Sequence, residues 1–482
     1  MNRRCLATAL SVTLVAGCAT PVPQVLTPQI VPTTLSDQAS PWPGQQWWVD
    51  FGSPQLAELI DQAQRDNRDL AVAAARVLEA QAQRTIQGSA LWPQISGQAQ
   101  AARASESPSK GSTQTANTFS LNVGASYELD IWGLQRANLR AASESLKAAR
   151  FMQAAVALTI TANVAKAYFT VLTLRERTAI ANEDITAINS LLDVIKLRVA
   201  TGKSSHLDLA QERSQVEAVE AQLPLLEEQE LEARISLAVL LGRAPGSLEV
   251  AEDKPEAIRT PTVGPGLASD LLSRRPDVAQ AEANLATAHA NLDAARAAFL
   301  PQFSLTGNAG YASVTLGALL RGPSFVWDAG ANLLQTVFDG GKLLGQKRLA
   351  SATQQELVAS YQSAVLNAYA DVESALGQVA NNRRAEEHLS REVESAREAF
   401  DIAQLQYRQG AADLLIVLQT QQTLFGARDQ LAQTRLARLQ AIVHLYEALG
   451  GGWAEPVEDR TQGPINGRLW RAGSRTALPD YR

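Results

Sequence analysis

Residues 69–96, DLAVAAARVLEAQAQRTIQGSALWPQIS, lie without a gap over residues 277–304, DVAQAEANLATAHANLDAARAAFLPQFS, and about a third of the positions are identical. The offset of 208 residues separates Pro93 from Pro301, and it also separates the turn-like VATGKSS around Gly202 from YRQGAAD around Gly410. A period this long is no short solenoid repeat, for which roughly 20–50 residues are expected. The chain is a duplicated half-molecule. Each alanine-rich stretch, Asp69 to Ala90 and Asp277 to Leu300, reads as a helix halted by the proline that follows.

Beyond each proline the period changes from helical to twofold. Phe119, Leu121, Val123, Ala125, Tyr127, Leu129 and Ile131 alternate with Ser120, Asn122, Gly124, Ser126, Glu128 and Asp130. In the second copy Phe303, Leu305, Gly307, Ala309 and Tyr311 alternate with Ser304, Thr306, Asn308 and Gly310, and a further strand begins at Trp327. Such segments, apolar on one face and polar on the other, suit a transmembrane β-barrel. The spacing predicts one hairpin of 94–104 with 118–131 and another of 302–313 with 325–338, with loops at 105–117 and 313–324. Strands of a soluble sandwich fit the same alternation. Four strands cannot close a barrel, since about eight are needed, so the membrane reading requires several chains to share one.

After each hairpin the sequence turns helical again. Residues 133–200 contain no proline and no glycine beyond Gly133, enough for about 100 Å of helix at 1.5 Å per residue. The second copy predicts a helix over 345–409, and return helices are expected over 206–241, bent at Pro224, and over 413–449. Helices this long pack side by side as a wall rather than inside one globular core.

The first residues, MNRRCLATALSVTLVAGC, have a basic start, a short apolar stretch and small residues before a cysteine, which is a signal peptide. Val15-Ala16-Gly17-Cys18 resembles a bacterial lipobox, making Cys18 the acylated first residue, carrying a lipid such as palmitate; an incidental cysteine is the plainer alternative. Ala19, rather than aspartate, follows it, which points to the outer membrane. Removal of residues 1–17 also removes Cys5, so no pair remains for a disulfide. The net charge of −6 becomes more negative when Arg3 and Arg4 leave, and lysine and arginine form no basic block; nucleic acid is not an expected partner. No run of about 18 apolar residues is evident after the signal, which leaves a β-barrel as the way to cross a bilayer. The expected organisation is a signal peptide (1–17), an extended lipidated arm (18–50), repeats over 51–250 and 251–453, and a disordered tail (454–482).

Chemistry is thinly represented. His206, His289, His388 and His444 are scattered, outside any HExxH or Cys/His cluster, so no metal site is expected. Gly340-Gly341-Lys342 lacks the first glycine of a phosphate loop, and no GxSxG elbow is present. No catalytic residue and no cofactor beyond the lipid is expected; the sequence reads as a conduit.

Leu272-Ser-Arg-Arg275-Pro276-Asp277-Val278 with Ala281-Glu282, Ala298-Phe-Leu-Pro301, Leu240-Leu241-Gly242-Arg243-Ala244-Pro245-Gly246, Tyr127-Glu-Leu-Asp130-Ile-Trp132-Gly133 and Leu445-Tyr446-Glu447-Ala448-Leu449-Gly450-Gly451-Gly452-Trp453 together resemble the TolC family of trimeric outer-membrane efflux factors, in its lipidated NodT- or OprM-like subgroup. The resemblance implies a mainly α fold with a small membrane β part. Duplicated long-helix hairpins would form an α-barrel tunnel, and four strands per chain would complete a 12-stranded barrel in a homotrimer. It implies a passive exit duct for drugs or other small toxic compounds, served by a periplasmic adaptor and a proton-driven inner-membrane pump. The tips, Thr201-Gly202-Lys203 and Gln409-Gly410-Ala411, would meet the adaptor. Relatives often carry a ring of aspartates after the second tip; here Ile416, Gln419 and Gln422 stand there. Asp208, Glu212 and Asp413 are the remaining carboxylates near the tips, as gate groups or simply as a solvated face. A lipid-anchored scaffold that conducts nothing, or a duct for metal ions or secreted protein, is the alternative.

Overall fold

The computed structural model describes residues 44–109, 112–246, 248, 250, 258–261, 274–451 and 453. Cys18, the signal peptide and the tail from 454 lie outside them. A 3-10 helix (Trp47–Phe51) leads into α1 (Pro54–Asp66) and α2 (Arg68–Ser89), followed by β1 (Gln94–Ser109), β2 (Ser112–Leu129) and α3 (Leu134–Ala200). Then come α4 (His206–Glu220) and α5 (Gln222–Leu240), α6 (Pro276–Ala297), β3 (Gln302–Ser313), β4 (Phe325–Leu334), α7 (Lys342–Gln409) and α8 (Leu414–Ala448).

The four strands form one antiparallel sheet in the order β1-β2-β3-β4, so the two repeats meet at β2 and β3. The register places like beside like: Leu121 opposes Ala99 and Tyr311, Val123 opposes Gly97 and Ala309, and Ala309 opposes Trp327. Residues opposed in an antiparallel pair share a face. One face therefore carries Ile95, Leu121, Val123, Leu305, Phe325, Trp327 and Leu333, and these remain solvent-exposed in the single chain. The other carries Ser96, Asn122, Ser126, Thr306, Asn308 and Asp328, where Asn308 Nδ2 donates to Asp328 Oδ2 at 3.1 Å.

Four strand boundaries differ from the sequence reading: the end of β1, both ends of β2, which stops at Leu129 rather than 131, and the end of β4. Much of 105–117, read as a loop, is paired strand, because polar residues beyond the apolar band still satisfy one another through the backbone ladder. At 18 residues β2 exceeds the roughly 9–11 that cross a bilayer, so the first hairpin projects past it. Conversely β4 stops at Leu334, not 338; Gln335 Nε2 turns back to the Phe299 and Thr336 carbonyls.

The repeat is visible in the backbone itself. Glycines with positive φ recur at the same 208-residue offset: Gly133 and Gly341 before the long helices, Gly202 and Gly410 at the tips, and Gly242 and Gly450 after the return helices. The last pair allows close approach as well. A Cβ on Gly242 would collide with the Asp66 carbonyl oxygen, and one on Gly450 would lie 2.5 Å from that of Arg274. Beside each glycine a side chain ties the start of a short helix to the end of a return helix. Asn67 Nδ2 donates to the Leu240 carbonyl at 2.8 Å, and Arg275 Nη1 to the Ala448 carbonyl at 3.0 Å. The second copy adds charge, since Arg275 also holds Asp277 in a bidentate pair and reaches Asp371 at 3.0 Å.

The packing repeats too. Val164, Leu237 and Leu241 belong to the larger core, and their counterparts Val372, Leu445 and Leu449 belong to a second one. The larger core is enlarged by Trp47, Phe51, Leu56 and Ile60 from the N-terminal segment, with Trp47 stacked on Tyr446 at 4.9 Å. The extended arm read as 18–50 thus ends before Trp47, which is buried, and α1 was not anticipated. Ser53 caps α1 and bonds the Tyr168 hydroxyl at 3.0 Å.

Two helical expectations need correction. Pro224 does more than bend the first return helix: it divides α4 from α5 at Ala221, because proline has no N–H for the Glu220 carbonyl and its ring crowds that oxygen. In addition α3 does contain an 18-residue stretch apolar enough to cross a membrane, with mean hydropathy 1.4. Half of that window is buried, and α3 sends Ile160, Val164, Tyr168, Phe169 and Leu172 into the larger core, so its apolar surface is spent on helix packing.

Candidate gate at the hairpin tips

Far from the sheet, α3 and α4 turn at Gly202, and α7 and α8 turn at Gly410. Both turns close alike. Lys203 N donates to the Arg198 carbonyl and Gly202 N to that of Val199; Ala411 N and Gly410 N do the same to Gln406 and Tyr407. This two-bond closure needs a left-handed residue, which glycine adopts without a Cβ penalty. Thr201 Oγ1 donates back to the Leu197 and Arg198 carbonyls. Thr201, Gly202, Lys203, Gln409, Gly410 and Ala411 are all exposed.

The tips are fastened to each other by residues that sequence reasoning missed. Arg198 places its guanidinium 4.5 Å from the centre of the Tyr407 ring and donates to the Tyr407 carbonyl at 2.7 Å. The Tyr407 hydroxyl lies 3.3 Å from Ser204 Oγ, which donates to Asp208 Oδ2 at 2.8 Å.

The carboxylates read as gate candidates part company. Asp208 completes a capping box with Ser205, and the Ser205 backbone N–H, foremost among its hydrogen bonds, holds its pKa below the usual carboxylate value. Asp413 is exposed at the start of α8 and its side chain caps nothing. Glu212 is fully buried rather than on a solvated face. Ile416, Gln419 and Gln422 are exposed along α8. Gln422 also lines a cavity of about 520 Å³ with Gln215 and Gln222, beside the break in the first return helix.

Above the tips, α3 and α8 are joined by a ladder of ion pairs. Arg177 binds Asp429 at 2.6 Å, Arg428 binds Asp184 at 2.6 Å and also Glu183, and Lys166 binds Glu447 at 2.9 Å. Burial pushes the Asp184 carboxyl up to about 6 despite the opposing pull of Arg428. Among the described residues no group of three or more His, Cys, Asp or Glu side chains is placed to hold a metal.

A sheet apolar on one face and polar on the other, continued by helices of 67 and 68 residues that end in glycine turns, defines a channel protein that crosses a membrane through its sheet. The profile described as "Outer membrane efflux protein" matches residues 59–243 and 267–451, one block in each repeat. The chain belongs to the outer membrane efflux protein family. It is 41% identical to the pyoverdine export outer membrane protein OpmQ of Pseudomonas aeruginosa, over 85% of this chain and 88% of that one. It is 33% identical to the toluene efflux pump outer membrane protein TtgF of Pseudomonas putida, over 84% and 85%. The outer-membrane channel OprN superposes with a TM-score of 0.81 at 27% identity, covering 87% of this chain and 95% of OprN. The protein is an outer-membrane exit duct of tripartite efflux in a Gram-negative cell, and its relatives are channels and efflux proteins, not enzymes.

Proposed function

We propose that three copies, each anchored by an acyl chain on Cys18, close a 12-stranded barrel and a 12-helix tunnel that passively conducts small organic compounds out of the cell. The observation that carries this reading is the sheet: an exposed apolar face on four strands with two free edges is unfinished in a single chain, and threefold closure completes it. The polar face then lines the passage. The sequence carries neither a phosphate-loop nor a GxSxG motif, and the family resemblance favours a conduit driven by a proton-powered inner-membrane pump. The exposed tips, Thr201-Gly202-Lys203 and Gln409-Gly410-Ala411, are the surface offered to a periplasmic adaptor. Asp208, Asp413, Ile416, Gln419 and Gln422 surround the end that opens.

For cargo, toxic compounds such as drugs and solvents are favoured by the toluene-efflux relative, and an exported siderophore by the more similar pyoverdine-export relative. A strain lacking the protein separates them. Raised accumulation of a fluorescent efflux dye, unaffected by adding an uncoupler, is expected for drug cargo; normal dye handling with loss of extracellular siderophore assigns the second cargo. If neither changes, and the purified protein gives no conductance in a planar bilayer, the duct reading fails.

A further inference from the structure

Two polar side chains in the tip bundle have nothing to bond. Glu212 on α4 and Gln421 on α8 are each 0% exposed, and both carboxylate oxygens of the one and both amide atoms of the other lack a hydrogen-bond partner. By helical rise Glu212 lies about 9 Å from the start of α4 and Gln421 about 10 Å from the start of α8. They therefore stand at one height above the tips. They also enter one interior. Leu209 and Val216, a turn to either side of Glu212, pack with Ile188 and Leu192 of α3; Val417 and Leu424, flanking Gln421, pack with Leu191 and Ile195. Leu209 and Phe425 belong to both groups.

Among the described residues no charge compensates Glu212. On α4 itself Asp208 is held in the capping box, while His206, Arg213 and Glu217 are exposed. On α3 Asp193 and Lys196 pair with each other, Arg198 is engaged by Tyr407, and Asp184 by Arg428. On α7 Arg397, Asp401 and Arg408 are exposed, as is Asp413 at the head of α8.

We propose that Glu212 is a proton-operated latch of the tips: protonated, it exchanges hydrogen bonds with Gln421 and the bundle stays packed, whereas ionised it loosens the ends of α4 and α8 from α3. Burial, its sole cause, moves this carboxyl from 4.5 up to about 7. The packed state thus keeps a proton that the loosened state releases. Its contribution is whole below about pH 4.5 and is lost as pH rises to about 7. Linkage then gives on the order of a tenfold rise in the loosened population between pH 6 and pH 8. Asp184, lifted only to about 6, is half ionised where that window opens and adds only about a twofold change across it.

The proposal rests on the tips being the end that opens, but hydrogen exchange of the full-length protein needs neither cargo nor conduction, so its failure is separable from that of the duct. Amide protection in segments 185–220 and 410–425, corrected for chemical exchange, should fall about tenfold from pH 6 to pH 8. Glu212→Gln should abolish that fall and remain protected at both. An unchanged response in Glu212→Gln, or no response in the wild type, overturns the latch. Should Glu212→Gln fail to assemble, Gln421→Leu serves: by removing the bond to the protonated form it should move the midpoint to lower pH, and an unmoved midpoint overturns the pairing.

Discussion

Arg275 shows how much one side chain can join. The residue is 8% exposed, and its guanidinium bonds the Ala448 carbonyl, Asp277 and Asp371, linking α6, α7 and α8. Burial opposes the charge, yet the two aspartates more than offset it and raise the Arg275 pKa. Arg275 is buried but both aspartate side chains are 44% exposed, so water takes up part of the loss and Arg275→Met should destabilise the protein by about 1–3 kcal/mol, read as earlier loss of the helical circular dichroism signal on heating. A pH signature accompanies it. Burial alone would raise the Asp277 pKa, but Arg275 depresses it. The pair therefore contributes stability above the unfolded value of 3.8 that is lost as pH falls through the depressed one. Without Arg275 acid unfolding should begin at higher pH. An acid midpoint identical to that of the wild type would show that the pair carries no such coupling.

Among the elements the sheet makes the sharpest demand. Val123 stands on the apolar face and Asn122 on the polar one. An arginine at mid-membrane on a lipid-facing strand costs about 2–4 kcal/mol, so Val123→Arg should diminish the oligomer recovered from outer membranes on mildly denaturing gels. Asn122→Arg, one residue away, should be recovered normally. Equal recovery of both would mean that the apolar face does not meet lipid. These faces were legible because an alternation of period two survives any tertiary context, and β3 was read to its residue. The continuation of β1 to Ser109 and the start of β2 at Ser112 were hidden because serine, threonine and asparagine favour turns locally, while ladder pairing decides their conformation. The long helices and their glycine turns were legible from the absence of proline and from the repeat. The burial of Glu212 was not, since the residues that enclose it come from α3 and α8. Trp47 and Phe51 were hidden for a similar reason: their core is built from segments over a hundred residues away.

For the whole molecule, duplication has built two similar walls with unequal fittings. The first repeat uses an amide, Asn67, where the second uses an ion-paired arginine, and the N-terminal aromatic segment enlarges one of the two matching cores and not the other. The proline break lies in the first return helix alone. The first hairpin is thus the more readily deformed, and Pro224→Ala should fuse α4 with α5 and raise amide protection around residues 218–226. Unchanged protection there would locate the break in packing rather than in the proline. The free edges of the sheet have a consequence of another kind, one that belongs to heredity. In the trimer proposed above every β1 must find a β4 from another chain, so a defective copy is not merely idle. If chains mix at random, equal expression of wild type and a folded but blocked variant leaves only about one trimer in eight free of the defect. Such alleles should therefore be dominant, silencing most of the ducts in a cell that still carries an intact gene.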